Sequence, residues 1–305
     1  MPSPHDVHAL IRRVRLRAGL PSALAEDLPI TVPRGPETSL GSFSDEEICE
    51  IATDQLHDLI APAITSLRQD FYLVEKAVPA TQFIEIPPDA MGYGVQAVGL
   101  RNAGDRHPSW LPLHSSGDDA PTHGFRFDAY GIQLTFEPNP QLEIVLRYFR
   151  RPLALTTVGG VLTIAGVNWN WDISAPVPDS GKLSWSRPNP PFRSGEVTLV
   201  GSGEIAAADE GIMQSGDYVA AEGYSVLVQV PPEALSALAQ ATANTILESL
   251  GDGNALARGQ ALLKQNMDAL TMALTPRAES APKVIVPTNI GNRFNHYRRM
   301  RGLRY

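Results

Sequence analysis

The spacing of apolar residues changes twice along this chain, and that change limits its fold more than any other feature. From Ile48 onward, Ile48, Ala52, Leu56, Leu59, Ala63, Leu67 and Phe71 recur every three or four residues, the stripe of a helix with one buried face. Ser44 stands ahead of the stripe as an N-cap, with Glu47 as its capping-box partner. Asp45 and Glu46 suit the positive end of the helix dipole. Pro62 should kink or divide this helix. Upstream, His5 to about Gly19 reads as a short basic helix stopped by Gly19 and Pro21, followed by a Pro- and Gly-rich loop from Pro29 to Gly41.

After Ala77 the period falls to two. Gln82 to Ile86, Val95 to Leu100, Trp110 to His114, Phe125 to Phe127, Ile132 to Phe136 and Leu142 to Phe149 read as strands, with Asp128 to Gly131 as a hairpin turn. Strand patterning continues through Leu162 to Val167, Val197 to Gly201 and Tyr224 to Val230, while Ser174 to Ser194 reads as an extended loop. Helical spacing then returns. Pro231-Pro232-Glu233 opens a helix whose face is Leu235, Leu238, Thr242, Ile246 and Leu250, ended by Gly251. A second helix, about Ala255 to Leu274, shows Leu256, Leu263, Met267, Leu270 and Leu274 on one face and stops at Pro276. The two read as an antiparallel pair.

This order predicts an α+β fold: a helical-bundle domain (residues 1–77 plus 231–275), a long inserted β-rich domain, barrel or sandwich (78–230), and an extended C-terminal arm (276–305). A length of 305 residues suits roughly two domains.

Charge is divided along the chain. The formal net charge is −8, yet residues 276–305 hold seven basic side chains and one acid, a net of +6 that leaves −14 for the remainder. The acidic body counts against a generally basic nucleic-acid binder. The single cysteine, Cys49, lies among isoleucines and reads as a small buried residue instead of a reactive thiol. Arginines interrupt the apolar residues of the N-terminus, which lacks the run of a signal peptide, and no segment is long and apolar enough to span a membrane. Folding in a reducing cytoplasm is the expectation.

Signatures of chemistry are scarce. No Gly-x-Ser-x-Gly elbow or Walker loop occurs, and Gly201-Ser202-Gly203 lacks the third glycine of a dinucleotide fingerprint. His5 and His8 are spaced to share a metal but read as solvated terminal residues. His107, His114 and His123, with Asp105, Asp118 and Asp119, form the one loop cluster with acid–base character, at no recognisable ligand spacing. Trp169, Trp171 and Trp185 offer a possible sugar platform, the basis of an alternative reading as a receptor- or glycan-binding tail component. No catalytic set, cofactor or metal is assigned. The positive signal is the arm, where Arg293, Arg298, Arg299, Arg301 and Arg304 alternate with Phe294, Tyr297 and Tyr305, the composition of a protein-docking segment, favoured over stacking on single-stranded nucleic acid because the body is acidic.

The order of short motifs resembles the head-to-tail connector (adaptor, or neck) proteins of tailed double-stranded DNA bacteriophages. The residues are Ser44-Asp45-Glu46-Glu47-Ile48, Ile60-Ala61-Pro62, Arg68 to Tyr72, Phe83 to Pro87, Phe125 to Ile132, Arg147 to Pro152, Gly216-Asp217-Tyr218, Pro231-Pro232-Glu233, Leu250-Gly251-Asp252 and Pro276-Arg277. The resemblance covers about residues 42–285. It implies a non-catalytic virion protein, assembled in the host cytoplasm into a ring, commonly twelve-fold. That ring would join the portal protein to the tail tube, nozzle or another tail protein and leave a channel for passing DNA.

Overall fold

A computed structural model describes residues 5–21, 43–102, 105–114, 123–128, 131–165, 168–173, 181–188, 194–201, 204–205 and 213–275. The chain divides into a unit up to Leu274 and a second from Thr275 to Tyr305. The arm, from Pro276 onward, lies outside the described residues.

Asp6 starts helix α1 (Val7–Ala18) by accepting the His8 N–H at 3.0 Å, and Gly19 ends it in the left-handed region at φ 67°. Val7, Leu10, Ile11, Val14 and Ala18 form its buried stripe. The capping box at α2 (Asp45–Gln55) is complete, with Ser44 Oγ accepting the Glu47 N–H at 3.1 Å and Glu47 Oε2 accepting the Ser44 N–H at 2.7 Å. Pro62 falls in the first turn of a separate helical piece, so the run is divided there, as expected, without a loop. One π-turn, Leu56–Ile60, leads directly into α3 (Ala61–Leu67). A proline ring at position 62 would meet the Asp58 carbonyl in a regular helix, and the wider turn removes that clash. The extra residue rotates the stripe, so Ile60, Ala61 and Ile64 are buried where Leu59, Ala63 and Leu67 were expected.

Among the described residues fifteen strands come next: β1 (Leu73–Pro79), β2 (Phe83–Glu85), β3 (Ala90–Asn102), β4 (Ser109–Trp110), β5 (Phe125–Asp128), β6 (Gly131–Leu134), β7 (Leu142–Arg150), β8 (Ala154–Leu155), β9 (Gly159–Ala165), β10 (Asn168–Ile173), β11 (Gly181–Ser186), β12 (Ser194–Gly201), β13 (Glu204–Ile205), β14 (Tyr218–Ala221) and β15 (Tyr224–Ser225). They form an antiparallel sheet β1-β7-β3-β4, a three-stranded sheet β2-β6-β5, a six-stranded sheet β10-β9-β14-β11-β12-β13 and a short parallel pair β15-β8. The sheets are open, and among the described residues none closes into a barrel. The first two share one core. Alternate residues of β7 (Ile144, Leu146 and Tyr148) meet Val95 and Val98 of β3 and Ile84, Phe125, Ile132 and Leu134 of the smaller sheet. The β5–β6 hairpin pairs Asp128 with Gly131.

Three strand expectations are corrected. The strand read over Trp110 to His114 is only Ser109–Trp110, with an isolated bridge from Leu113 to Phe125 beyond it. Part of the stretch read as a loop, Ser174 to Ser194, is β11, inside the six-stranded sheet with Leu183 to Ser186 all buried. The strand read over Tyr224 to Val230 shortens to β15. The next residues instead hold the N-terminus, with Val7 N–H donating to Val226 O at 3.1 Å and Val228 N–H to His5 O at 2.7 Å.

A 3₁₀ turn, Pro232–Ala234, leads into α4 (Leu235–Ser249), and Gly251 at φ 71° separates it from α5 (Gly253–Leu274). Helix α4 was expected to bury one face. Eleven of its fifteen residues are buried, because α1, α2 and α5 all pack on it. Its run of alanines permits that crowding. Residues from α1 to α3 and from Val228 to Leu274 thus share one apolar cluster. Helix α5 buries only Gly259, Leu270 and Leu274.

Candidate functional site

The docking residues named from the sequence (Arg293, Phe294, Tyr297, Arg298, Arg299, Arg301, Arg304 and Tyr305) lie outside the described residues. Asp118 and Asp119 do as well. The other candidates can be placed.

His5 is buried, not solvated, and burial holds its pKa below the ordinary histidine value. His8 is exposed, so the pair does not form a shared solvent-facing site. His114 packs against Gly124 so closely that a Cβ there would meet Nε2 at 1.9 Å, and the His123 ring lies 4.8 Å from that of Phe136. Among the described residues no three His, Cys, Asp or Glu side chains gather as a metal site. Cys49 is buried, and its thiol pKa is pushed up to about 12, first by burial and then by Asp45 and Glu46.

The tryptophan platform fails at one corner. Trp185 is buried between Gly195 and Arg187, whose guanidinium carbon lies 5.3 Å from its ring centroid. Arg187 in turn makes a bidentate bond to buried Asp217, 2.9 Å at each oxygen. Trp169 and Trp171 are on β10, paired in register with Ile164 and Leu162.

A cleft of about 550 Å³ lies between β1 and β7 on one side and β11, β12 and Glu222 on the other. Several of its polar groups are held by bonds within the molecule. Tyr148 donates to both Asp89 oxygens at 3.0 and 3.1 Å, Arg150 donates to the Ser194 carbonyl at 2.9 Å and to its hydroxyl, and Lys182 lies 3.5 Å from Glu196 and 3.6 Å from Glu222. Burial and Asp89 both raise the Tyr148 pKa, so its hydroxyl is a donor and not a base. Burial lowers the pKa of Arg150. Among the described residues the cleft is a polar seam between two sheets.

The helices offer a different kind of surface, one that sequence patterning did not separate out. Two arginines of α1 are engaged within the molecule. Arg15 bonds Asp45 at 2.7 Å and the Phe43 carbonyl at 2.9 Å, and Arg17 reaches the Ser236 carbonyl and hydroxyl at 2.5 and 2.8 Å. Arg12 and Arg13 are exposed and form no ion pair among the described residues; beside them Leu16 is 82% exposed. On the outside of α2 and the π-turn, Glu46, Glu50, Asp54 and Asp58 are also exposed at four-residue spacing, again without an ion pair among the described residues. One outward face is therefore basic around an apolar side chain, and another is acidic.

No helix among the described residues is long and apolar enough to cross a membrane. No family model matches the chain, and no curated protein is similar to it.

Proposed function

We propose that this protein is a head-to-tail adaptor of a tailed double-stranded DNA bacteriophage, a structural ring subunit located between portal and tail. The observation that carries the reading is the way the chain is organised. Helices on either side of a long β-rich stretch share one apolar cluster, in the order of motifs that resembles the connector family. The finer architecture proposed is a helical bundle from residues 1–77 and 231–275, a β-rich insertion from 78–230, and the arm from 276–305. The bundle faces the portal and the β part faces the tail.

Charge supports the same reading. A body of net −14 repels phosphate, so DNA passing through a ring of such subunits slides instead of sticking. Heterologous contacts that close on themselves build a ring. The arm is a protein-docking segment: aromatic and arginine side chains in a polar chain suit ordering on a partner.

Native mass spectrometry of the purified chain with portal protein, and electron cryomicroscopy of virions, test the proposal. A ring on the portal is expected; a monomer absent from particles would reject it. Deleting residues 286–305 should leave the body folded and abolish portal attachment. Unchanged attachment would remove the arm's assigned role. The glycan-binding alternative loses support from the burial of Trp185.

A further inference from the structure

We infer that the basic face of α1 docks on the acidic ridge of α2 in a second copy of this chain. The inference rests on the ring reading above and names the contact that would join its subunits.

Three observations converge on it. First, the acids are too many for their local role. Glu46 and Glu47 lie in the first turn of α2, where the helix dipole favours them, but Glu50, Asp54 and Asp58 lie beyond it. Like charges four residues apart destabilise a helix. Glu46, Glu50, Asp54 and Asp58 carry that repulsion with no cation paired to them among the described residues. Second, α1 holds two exposed arginines, Arg12 and Arg13, with no ion pair among the described residues, whereas Arg15 and Arg17 are both engaged by internal bonds. Third, Leu16 stands beside those exposed arginines at 82% exposure, the most exposed large apolar side chain among the described residues. Arg12 and Arg13 precede it by four and three residues, so all three share one helix face.

The two faces belong to the same chain, and Arg15 to Asp45 already joins their helices within one copy. Their outward sides complement one another in charge, and each is supplied to every neighbour by every subunit. A contact of this kind places arginines against carboxylates around an apolar centre, the arrangement of a protein interface with a charged rim.

Charge reversal tests it. The measurements are sedimentation velocity and native mass spectrometry of the full chain at high concentration and low salt, for wild type, R12E/R13E, E50R/D54R and the combination of all four. All these positions are exposed, and circular dichroism checks that each variant is folded. Expected is self-association in the wild type, weakened about tenfold or more by either reversal and restored by the combination, since only the combination recreates opposite charges. Leu16→Ser should weaken association without altering its salt dependence. Raising salt from about 0.05 to about 0.5 M should disperse the wild type, because screening shortens the reach of these charges.

A wild-type chain that assembles on portal protein but ignores both reversals overturns the interface and leaves the adaptor reading standing. Dispersal by E50R/D54R but not by R12E/R13E overturns it as well, since the ridge then takes a different occupant. A wild type that stays monomeric and also fails to bind portal protein removes the contact together with the adaptor reading.

Discussion

Asp217 shows how much of this β region depends on single side chains. Its carboxylate is buried at 3% exposure and accepts two N–H groups of Arg187 and the Gln214 N–H at 2.8 Å. Arg187→Ala removes two of those three donors from a charge that water cannot reach, and we expect a loss of about 3 kcal/mol in chemical denaturation. A loss below about 1 kcal/mol would mean that the carboxylate is solvated in practice. Two histidines should make stability depend on pH. Burial lowers the pKa of both His5 and His57, although His57 Nε2 lies 2.8 Å from the Pro152 carbonyl. A histidine with a lowered folded pKa binds fewer protons folded than unfolded. Its contribution is therefore complete above the unfolded value of 6.5 and is lost as pH falls through the folded value. Melting temperature should drop between neutral pH and pH about 5, and His57→Gln should flatten that dependence. An unchanged slope would exclude His57 as a source.

At the scale of elements, capping and crossing geometry set the predictions. Ser44→Ala removes one side of the capping box and should cost about 1 kcal/mol, while Glu46→Ala, outside the box, should cost less. Helices α4 and α5 approach at Gly259, where a Cβ would stand 2.1 Å from Asn244 Oδ1. Gly259→Val should therefore destabilise the protein by about 1 to 3 kcal/mol and loosen α5, which hydrogen exchange would show as faster exchange confined to that helix. The capping box, the left-handed Gly19 and the β5–β6 hairpin were legible because each is local: its signal and its partner lie within a few residues. Strand β11 was missed because Ser184 and Ser186 are buried beside Leu183 and Trp185. Its inward serines are satisfied by distant groups, Ser186 by Ser225 and Gln229 and Ser184 by the Gly223 N–H. The full burial of α4 was hidden for a related reason, since small alanines look neutral until three helices are seen to pack on them. The faces of α1 and α2 were visible only as charge. Which arginines are engaged depends on Asp45 and Ser236, one of them more than two hundred residues away.

For the whole molecule, the body's negative charge dominates. Removing residues 286–305 takes away five arginines and moves the net charge from −8 to −13. That truncated chain should not retard double-stranded DNA in a gel at physiological salt, and retardation would contradict a non-adhesive body. The polar joint between helices and sheets should behave as one unit. Tyr72 donates to the Gln229 carbonyl at 2.7 Å, Gln229 Nε2 donates to Ser186 Oγ at 3.0 Å, and Ser186 Oγ pairs with Ser225 Oγ at 3.1 Å. Tyr72→Phe should cost about 1 kcal/mol, and combining it with Ser186→Ala should depart from additivity. The tie between the first helix and the segment before α4 has a consequence for synthesis. The apolar stripe of α1 to α3 leaves the ribosome complete, but α4, which covers it, begins only at Leu235. At about 5 to 20 residues per second the nascent chain carries that stripe uncovered for on the order of ten seconds. Throughout that interval it is a target for chaperones, and slowing translation between residues 68 and 234 should lower the yield of soluble protein.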